Sequence, residues 1–266
     1  MGNKRARDRQ LAKLAARRQA ERRARQRRRG RIATITAVVV IGLAGTGVWV
    51  LASDDPAAAP SPQPVASASP GATCSPKVPE AAGEKRPTFK DPPEMTIDPA
   101  ATYVATMQTS CGTVVMELDS RVAPIGVNSF VFLAEQGFYD GLTFHRLVAD
   151  FVIQGGDPAG DGTGGPGYEF ETETSKRVTF DDGGILAYAN SGPDTNGSQF
   201  FITLGPAPQL DPTPDASYTI FGSVMEGMDV VQQIGALPTA DPDGDHEVST
   251  PVQPVYIDSI TIDEQR

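Results

Sequence analysis

Alternating hydrophobic and polar positions begin near residue 101 and continue to the end of the chain. Residues 103–109 and 112–118 follow the two-residue period of half-buried strands, and Ser110 to Gly112 predict a tight turn between them. The same reasoning predicts further short strands at residues 142–147, 151–154, 185–189, 199–203, 219–224 and 256–262. The pattern therefore indicates a domain of about eight strands.

Two segments in this region have a helical period instead. Val127, Phe130, Val131 and Ala134 are spaced as one face of a helix, and Gly137 is placed to end it. A second short helix is expected at residues 228–234. Because the strands do not alternate one-for-one with helices, we expect a mainly β fold, a closed eight-stranded antiparallel barrel capped by two helices. This domain is assigned to residues 101–266.

Residues 32–52 form a run of 21 residues without a charge. As a helix the run would be about 31 Å long, close to the hydrocarbon thickness of a bilayer, which predicts a single transmembrane helix. A cleaved secretory signal is the alternative, since Val50 to Ala52 could form a cleavage site. Signal sequences usually have a shorter apolar run of about 7 to 15 residues, which favours an uncleaved anchor.

Charge is distributed unevenly on the two sides of this run. Residues 1–31 contain 14 Lys and Arg against two acidic residues. Because the whole chain has a net charge of −10, the remaining residues carry −22. The positive-inside rule then predicts a cytoplasmic N-terminus and an acidic domain outside the cell membrane. A basic head next to a span is typical of a topology determinant, so we expect no nucleic-acid partner.

Residues 53–100 are rich in Pro, Ala and Ser and lack apolar periodicity, which predicts a disordered linker. The two cysteines, Cys74 and Cys111, lie on the predicted exported side, where disulfides persist. We expect either a disulfide between them or two unpaired thiols. A bridge would fasten the last part of the linker to the domain.

Three ordered motifs within residues 101–262 carry a specific resemblance. They are residues 144–157 (FHRLVADFVIQGGD), 188–202 (YANSGPDTNGSQFFI) and 218–231 (YTIFGSVMEGMDVV). Together they resemble the cyclophilin family of peptidyl-prolyl isomerases, in a form expected to be membrane-anchored and bacterial. The chain departs from many cyclophilins at Gln209, where they have tryptophan, and at Tyr218, where they have histidine.

The resemblance implies a site for each residue that it matches. Arg146 is expected to donate to the prolyl nitrogen, which regains its lone pair when the peptide bond twists, and Gln154 and Phe151 complete the catalytic group. Gln154 and Gln199 would offer side-chain amides to the substrate carbonyl and to Arg146, while the Asn190 backbone would pair with an extended substrate. The expected lining of the proline pocket is Phe151, Val152, Ala189, Phe201, Leu210 and Tyr218.

This chemistry requires no nucleophile, metal or cofactor, because rotation about a peptide bond makes and breaks no covalent bond. A glycine-rich run at residues 160–165 matches the dinucleotide-binding sequence pattern, but Pro166 follows it instead of a helix, so we exclude nucleotide binding.

We expect a monomeric isomerase domain acting on X-Pro bonds of exported proteins and assisting their folding. The alternative is a non-catalytic proline-peptide binding module or holdase chaperone at the cell envelope.

Overall fold

The computed structural model of the protein describes residues 74–75, 77–213, 217–240 and 249–265. The predicted basic head at residues 1–31, the predicted transmembrane helix at 32–52 and the linker before Cys74 lie outside the described residues. Within the described part, no helix is long and apolar enough to cross a membrane.

All eight strands predicted from the alternation are present, although their bounds differ. The strands are β1 (Thr102–Thr109), β2 (Gly112–Leu118), β3 (Arg146–Val148), β4 (Val152–Gly155), β5 (Ile185–Tyr188), β6 (Phe200–Thr203), β7 (Ile220–Glu226), β8 (Thr239–Ala240), β9 (Thr250–Pro251) and β10 (Ile257–Gln265). Strands β8 and β9 form a separate two-stranded ribbon that the sequence did not predict. Each has only two residues, which is too short to show a period.

The other eight strands form one curled antiparallel sheet in the order β10-β1-β2-β7-β5-β6-β4-β3. The prediction of a closed barrel is confirmed only as far as this sheet, because the described residues contain no strand ladder between the edge strands β3 and β10. The edges are linked instead by an isolated bridge between Thr143 and Tyr256. The predicted strand at 142–147 was therefore placed too early, since Thr143 forms this isolated bridge and β3 begins only at Arg146.

Both predicted helices are confirmed, as α1 (Pro124–Glu135) and α2 (Met228–Gly235). The four residues predicted to form the apolar face of α1 are all buried. Gly137 has a φ of 62°, a left-handed conformation that glycine adopts readily and that ends the helix. In the main core, the α1 residue Phe130 packs against Tyr139, Phe200 and Phe221, with ring centroids 5.1 to 5.7 Å apart.

Strand alternation divides the apolar side chains between two clusters on opposite faces of the sheet. In β6, Phe200 and Ile202 belong to the main core, whereas Phe201 belongs to a smaller second cluster. In β4, Ile153 belongs to the core and Val152 to the second cluster. Because successive side chains of a strand point to opposite faces, the second cluster lies on the face away from the main core.

The described part of the predicted linker lies against the domain. We call residues 77–100 the strap. A disulfide joins Cys74, just before the strap, to Cys111 in the β1–β2 turn. The buried Arg86 donates hydrogen bonds to the carbonyls of Ala81 and Asp140, and the Asn128 side chain of α1 accepts one from the Thr96 N–H at 2.9 Å. Residues from 77 onward are thus ordered by long-range contacts.

Candidate active site

Strand register brings three of the predicted site residues into one row across the sheet, and the row continues to a fourth strand. Arg146 on β3 is directly opposite Gln154 on β4, Gln154 is opposite Phe201 on β6, and Phe201 is opposite Ala187 on β5. Neighbouring strands are about 4.8 Å apart, so the row places Arg146 about 10 Å from the Phe201 backbone. Directly opposite residues share a face, and Phe201 and Ala187 belong to the second apolar cluster. The site therefore lies on that face of the sheet.

A pocket of about 200 Å³ opens at this row. It brings together nine of the ten predicted catalytic and substrate-binding residues: Arg146, Phe151, Val152, Gln154, Ala189, Asn190, Phe201, Leu210 and Tyr218. The Tyr218 ring stands edge-on to Phe201, with centroids 5.5 Å apart. Tyr218 thus supplies an aromatic wall at one of the two positions where the chain departs from many cyclophilins. The other, Gln209, is exposed in a 3₁₀ turn over Pro208–Leu210.

The tenth residue, Gln199, does not line this pocket and is connected to Arg146 through Gln154. Arg146 Nη1 donates to Gln154 Oε1 at 3.4 Å, and Gln154 Nε2 donates to Gln199 Oε1 at 3.1 Å. Gln199 Nε2 in turn donates to the carbonyls of Gly162 and Gly164, at 3.0 and 2.9 Å. The expected amide contact with Arg146 is therefore made by Gln154. Gln199 fixes which way the Gln154 amide points, because its oxygen accepts the Gln154 N–H.

Replacing Gln199 with leucine is expected to lower kcat/KM for a proline peptide by about threefold to tenfold, the effect of losing one positioning hydrogen bond of about 1 kcal/mol. The physical reason is that Gln154 can then rotate its amide and turn its nitrogen toward the Arg146 cation. Steady-state kinetics check this expectation. Gln199→Glu serves as the matched variant, since it keeps the acceptor for Gln154 but turns a carboxylate toward two carbonyls; a rate equal to wild type in both variants would contradict the role.

Arg146 combines a partly dehydrated charge with an adjacent apolar surface. Burial lowers the pKa of its guanidinium below the ordinary value, while the nearby Tyr218 raises it. An arginine stays protonated at neutral pH despite such a shift. Its guanidinium has five N–H donors, and Gln154 Oε1 accepts from Nη1. The pocket therefore presents a fixed cation beside a surface suited to a small apolar ring.

Asn190 links the pocket to its surroundings through its side chain. Its Nδ2 donates to the Ser217 carbonyl at 2.9 Å and to Asn196 Oδ1 at 3.2 Å. These contacts hold the residue next to Tyr218 and engage the side-chain donor within the protein. The Asn190 backbone, at the pocket edge, is then the part suited to pairing with an extended peptide, as the resemblance implied.

A larger cavity of about 820 Å³ adjoins the pocket and shares Gln154, Ala189 and Asn190 with it. One wall is formed by residues 162–169, which include the last four residues of the glycine-rich run at 160–165. Sequence reasoning missed Tyr168, Ser191 and Thr195 as lining residues. Ser191 and Thr195 lie within the motif at residues 188–202, but the resemblance assigned no role to them, and Tyr168 lies outside the three motifs. Each is brought to the cavity by the path of its loop.

His145, adjacent to Arg146, is buried in the protein. Among the described residues, neither of its ring nitrogens has a hydrogen-bond partner. Burial lowers its pKa; Asp157 and Asp161 act in the opposite direction, and Arg146 lowers the pKa further. The imidazole is therefore neutral in the folded protein at pH values where an exposed histidine binds a proton.

This burial makes stability depend on pH. Below about pH 6.5 His145 takes up a proton in the unfolded chain but resists protonation in the folded chain, so the unfolded state binds more protons. The free energy of unfolding therefore decreases as the pH is lowered. His145→Gln is expected to flatten this fall between about pH 7 and the lowered folded-state pKa. Urea unfolding of both proteins at several pH values measures it, with His246 present in both; equal slopes would contradict the expectation.

The pocket, the cation and the curled sheet define a binding site for a small ring next to a peptide backbone. A family model described as cyclophilin type peptidyl-prolyl cis-trans isomerase matches residues 104–262. The chain belongs to this family, and it is a peptidyl-prolyl cis-trans isomerase.

Several relatives share this domain. The chain is 45% identical over 147 residues to peptidyl-prolyl cis-trans isomerase CYP18-2 of Arabidopsis thaliana, covering 54% of this chain and 87% of that protein. It is 47% identical over 136 residues to human peptidyl-prolyl cis-trans isomerase-like 1, covering 50% and 80%. A crystal structure of a Cryptosporidium parvum cyclophilin-type isomerase is similar, with a TM-score of 0.55, 32% identity and coverage of 62% and 99%. A second structure of that enzyme, with a TM-score of 0.54, was determined in the presence of the dipeptide Ala-Pro.

Proposed function

We propose that this isomerase is a membrane-anchored bacterial form that accelerates rotation of X-Pro bonds in exported proteins and so assists their folding. The proline ring enters the 200 Å³ pocket, and the residues that flank it extend past Asn190 toward the larger cavity. The observation that carries the proposed action on X-Pro bonds is the row in which Arg146 and Gln154 stand beside Phe201. The Ala-Pro dipeptide named for the Cryptosporidium parvum enzyme supports the same class of substrate.

The catalytic chemistry follows from the barrier to rotation about the X-Pro peptide bond. Amide resonance gives a barrier of about 18 to 20 kcal/mol, and uncatalysed X-Pro exchange takes tens of seconds. When the bond twists, the prolyl nitrogen recovers its lone pair and becomes a hydrogen-bond acceptor. Arg146 then gains a charge-assisted hydrogen bond that the planar amide cannot offer, and only interactions that are stronger in the transition state accelerate a reaction. The apolar pocket wall holds the ring while the preceding residue rotates.

The proposed location rests on the sequence before the domain and on the disulfide. Residues 32–52 have the length and composition of a membrane span, and the basic head before them favours a cytoplasmic N-terminus. The Cys74–Cys111 disulfide is typical of proteins that work outside the reducing cytosol. Both features favour an isomerase domain held on the outer side of the membrane.

Protease treatment of spheroplasts that express the full chain tests this location. We expect the isomerase domain to be cut or released by external protease while an N-terminal tag stays protected, and the mature protein to keep residues 1–52. A tag and domain that are both protected would contradict the location. A mature protein whose mass shows that it begins after residue 52 would indicate a cleaved signal sequence instead of a membrane anchor. The refolding rate of a proline-limited exported protein, with and without the isomerase, tests the role in folding.

A further inference from the structure

The strap reaches the wall of the larger cavity at Phe89. The Phe89 N–H donates to the Pro166 carbonyl at 2.8 Å. Gly167 has a φ of 98°, and a Cβ built there would lie 2.6 Å from the Phe89 carbonyl oxygen. Two stretches of backbone are therefore in direct contact, at a place where any residue other than glycine would be strained.

The Phe89 side chain adds an aromatic contact from the same position. Its ring packs edge-on against Phe132 of α1, with centroids 4.9 Å apart, and its centroid is 6.5 Å from that of Tyr168. The Tyr168 hydroxyl is 2.8 Å from Ser129 Oγ on α1. Phe89 thus lies among α1, Tyr168 and the backbone of the cavity wall.

The wall that Phe89 contacts is rich in glycine. Residues 162, 164, 165 and 167 are all glycine, and two of them, Gly162 and Gly167, have positive φ. Such a segment loses much conformational entropy when a ligand orders it. Pro166, Gly167 and Tyr168 line the cavity, so a contact that fixes them in advance removes part of that cost from binding.

The strap itself is fixed independently of the wall. Its turn at residues 80–83 packs on Gly141, where an added Cβ would lie 2.5 Å from the Ala81 backbone. Arg86 and Thr96 anchor it on either side of Phe89, since Arg86 donates to the Asp140 carbonyl and the Thr96 N–H donates to the Asn128 side chain. The strap is therefore anchored both before and after Phe89, so Phe89 can hold the cavity wall in place.

We propose that Phe89 is a positioning residue for substrate binding, which fixes the wall of the larger cavity for the residues that flank the proline. This inference rests on the proposed function, in which the larger cavity receives those residues. A peptide long enough to reach the cavity gains affinity from the prearranged wall. A minimal peptide that fills only the pocket around Arg146 gains nothing from it.

Kinetics on two substrates test the proposal with the full chain: a blocked Ala-Pro peptide and the same core extended by two residues on each side. Phe89→Ala is expected to raise KM for the long peptide by about threefold to tenfold, the range for ordering one or two side chains. We expect kcat within about twofold of wild type and an unchanged kcat/KM for the short peptide. Phe89→Tyr, which keeps the ring, should restore the long-peptide KM. Met95→Ala, a change on the same strap at a residue that is 49% exposed, should match wild type.

The ratio of the two kcat/KM values is independent of the active fraction, so it remains informative if Phe89→Ala is partly unfolded. An equal change for both peptides, or no change for the long one, would overturn the proposal while leaving the isomerase function intact. A wild-type protein that turns over neither peptide would instead contradict the proposed function, and the inference with it.

Discussion

Arg146→Ala is expected to lower kcat/KM for proline peptides by about two to three orders of magnitude, the size found when a preorganised transition-state donor is removed from an enzyme. The guanidinium is partly dehydrated beside an apolar pocket, so its hydrogen bond to the twisted amide is stronger than the same bond in water. Most of the loss should appear in kcat, because the bond forms only as the peptide twists.

Two comparisons separate this role from a general effect on the site. Arg146→Lys keeps the charge but loses the planar group of donors, so it should recover only part of the activity. Leu210→Ala, in the same pocket but apolar, should raise KM more than it lowers kcat. An Arg146→Ala enzyme that keeps more than about a third of its kcat would contradict the catalytic assignment, whatever its KM.

Removing the disulfide is expected to cause the largest loss of stability. The Cys74–Cys111 bridge spans a sequence separation of 37 residues, and closing a loop of that length stabilises a protein by about 4 kcal/mol in the chain-entropy model. Cys74→Ser with Cys111→Ser should therefore lower the free energy of unfolding by about that amount in urea titrations. Reduced wild-type protein should unfold at the same urea concentration as the double variant.

The same experiment distinguishes the bridge from the other anchors of the strap. Arg86 and Asn128 hold the strap in the folded protein, whereas the disulfide acts mainly by restricting the unfolded chain. Arg86→Gln in the oxidised protein serves as the comparison, since it removes a charged donor to Asp140 and leaves the bridge intact. A loss below about 1 kcal/mol in the double variant would contradict this account.

The alternation along the chain was sufficient to predict the eight strands of the main sheet, but not the ribbon of β8 and β9 or how the edges of the sheet meet. Residues 142–147 were predicted as one strand from their apolar positions, and Leu142, Phe144 and Leu147 are all buried in the structure. Hydrogen bonds divide that run, since Phe144 donates to the Val255 carbonyl and β3 starts two residues later. Burial is visible in a sequence, whereas the choice of hydrogen-bond partner depends on the folded neighbours.

The candidate site was predicted residue by residue through its motifs, and the sheet explains why those residues meet. Arg146, Gln154 and Phe201 fall on one face because they are paired across adjacent strands. Gln199 was assigned to direct contact with the substrate or Arg146, but its amide is engaged by Gln154 and by glycine carbonyls. Which partner a side-chain amide selects depends on loop geometry, which has no signature in the sequence.

The strap shows the limit of composition as a guide. Residues 77–100 have few large apolar residues and many prolines, which is typical of a linker. Their order comes from a buried arginine, an asparagine on α1 and the ring of Phe89, each with a partner more than 30 residues away. A local sequence pattern does not indicate contacts between residues so far apart in the chain.

Exchange spectroscopy by NMR on an Ala-Pro peptide tests the central claim most directly. With a small fraction of the protein present, exchange peaks between the cis and trans forms of the peptide should appear within a second, and they should be lost with Arg146→Ala. Uncatalysed exchange is too slow to produce such peaks. Shifts of the peptide signals without exchange would show binding without catalysis, the result expected of a holdase, and would contradict the account.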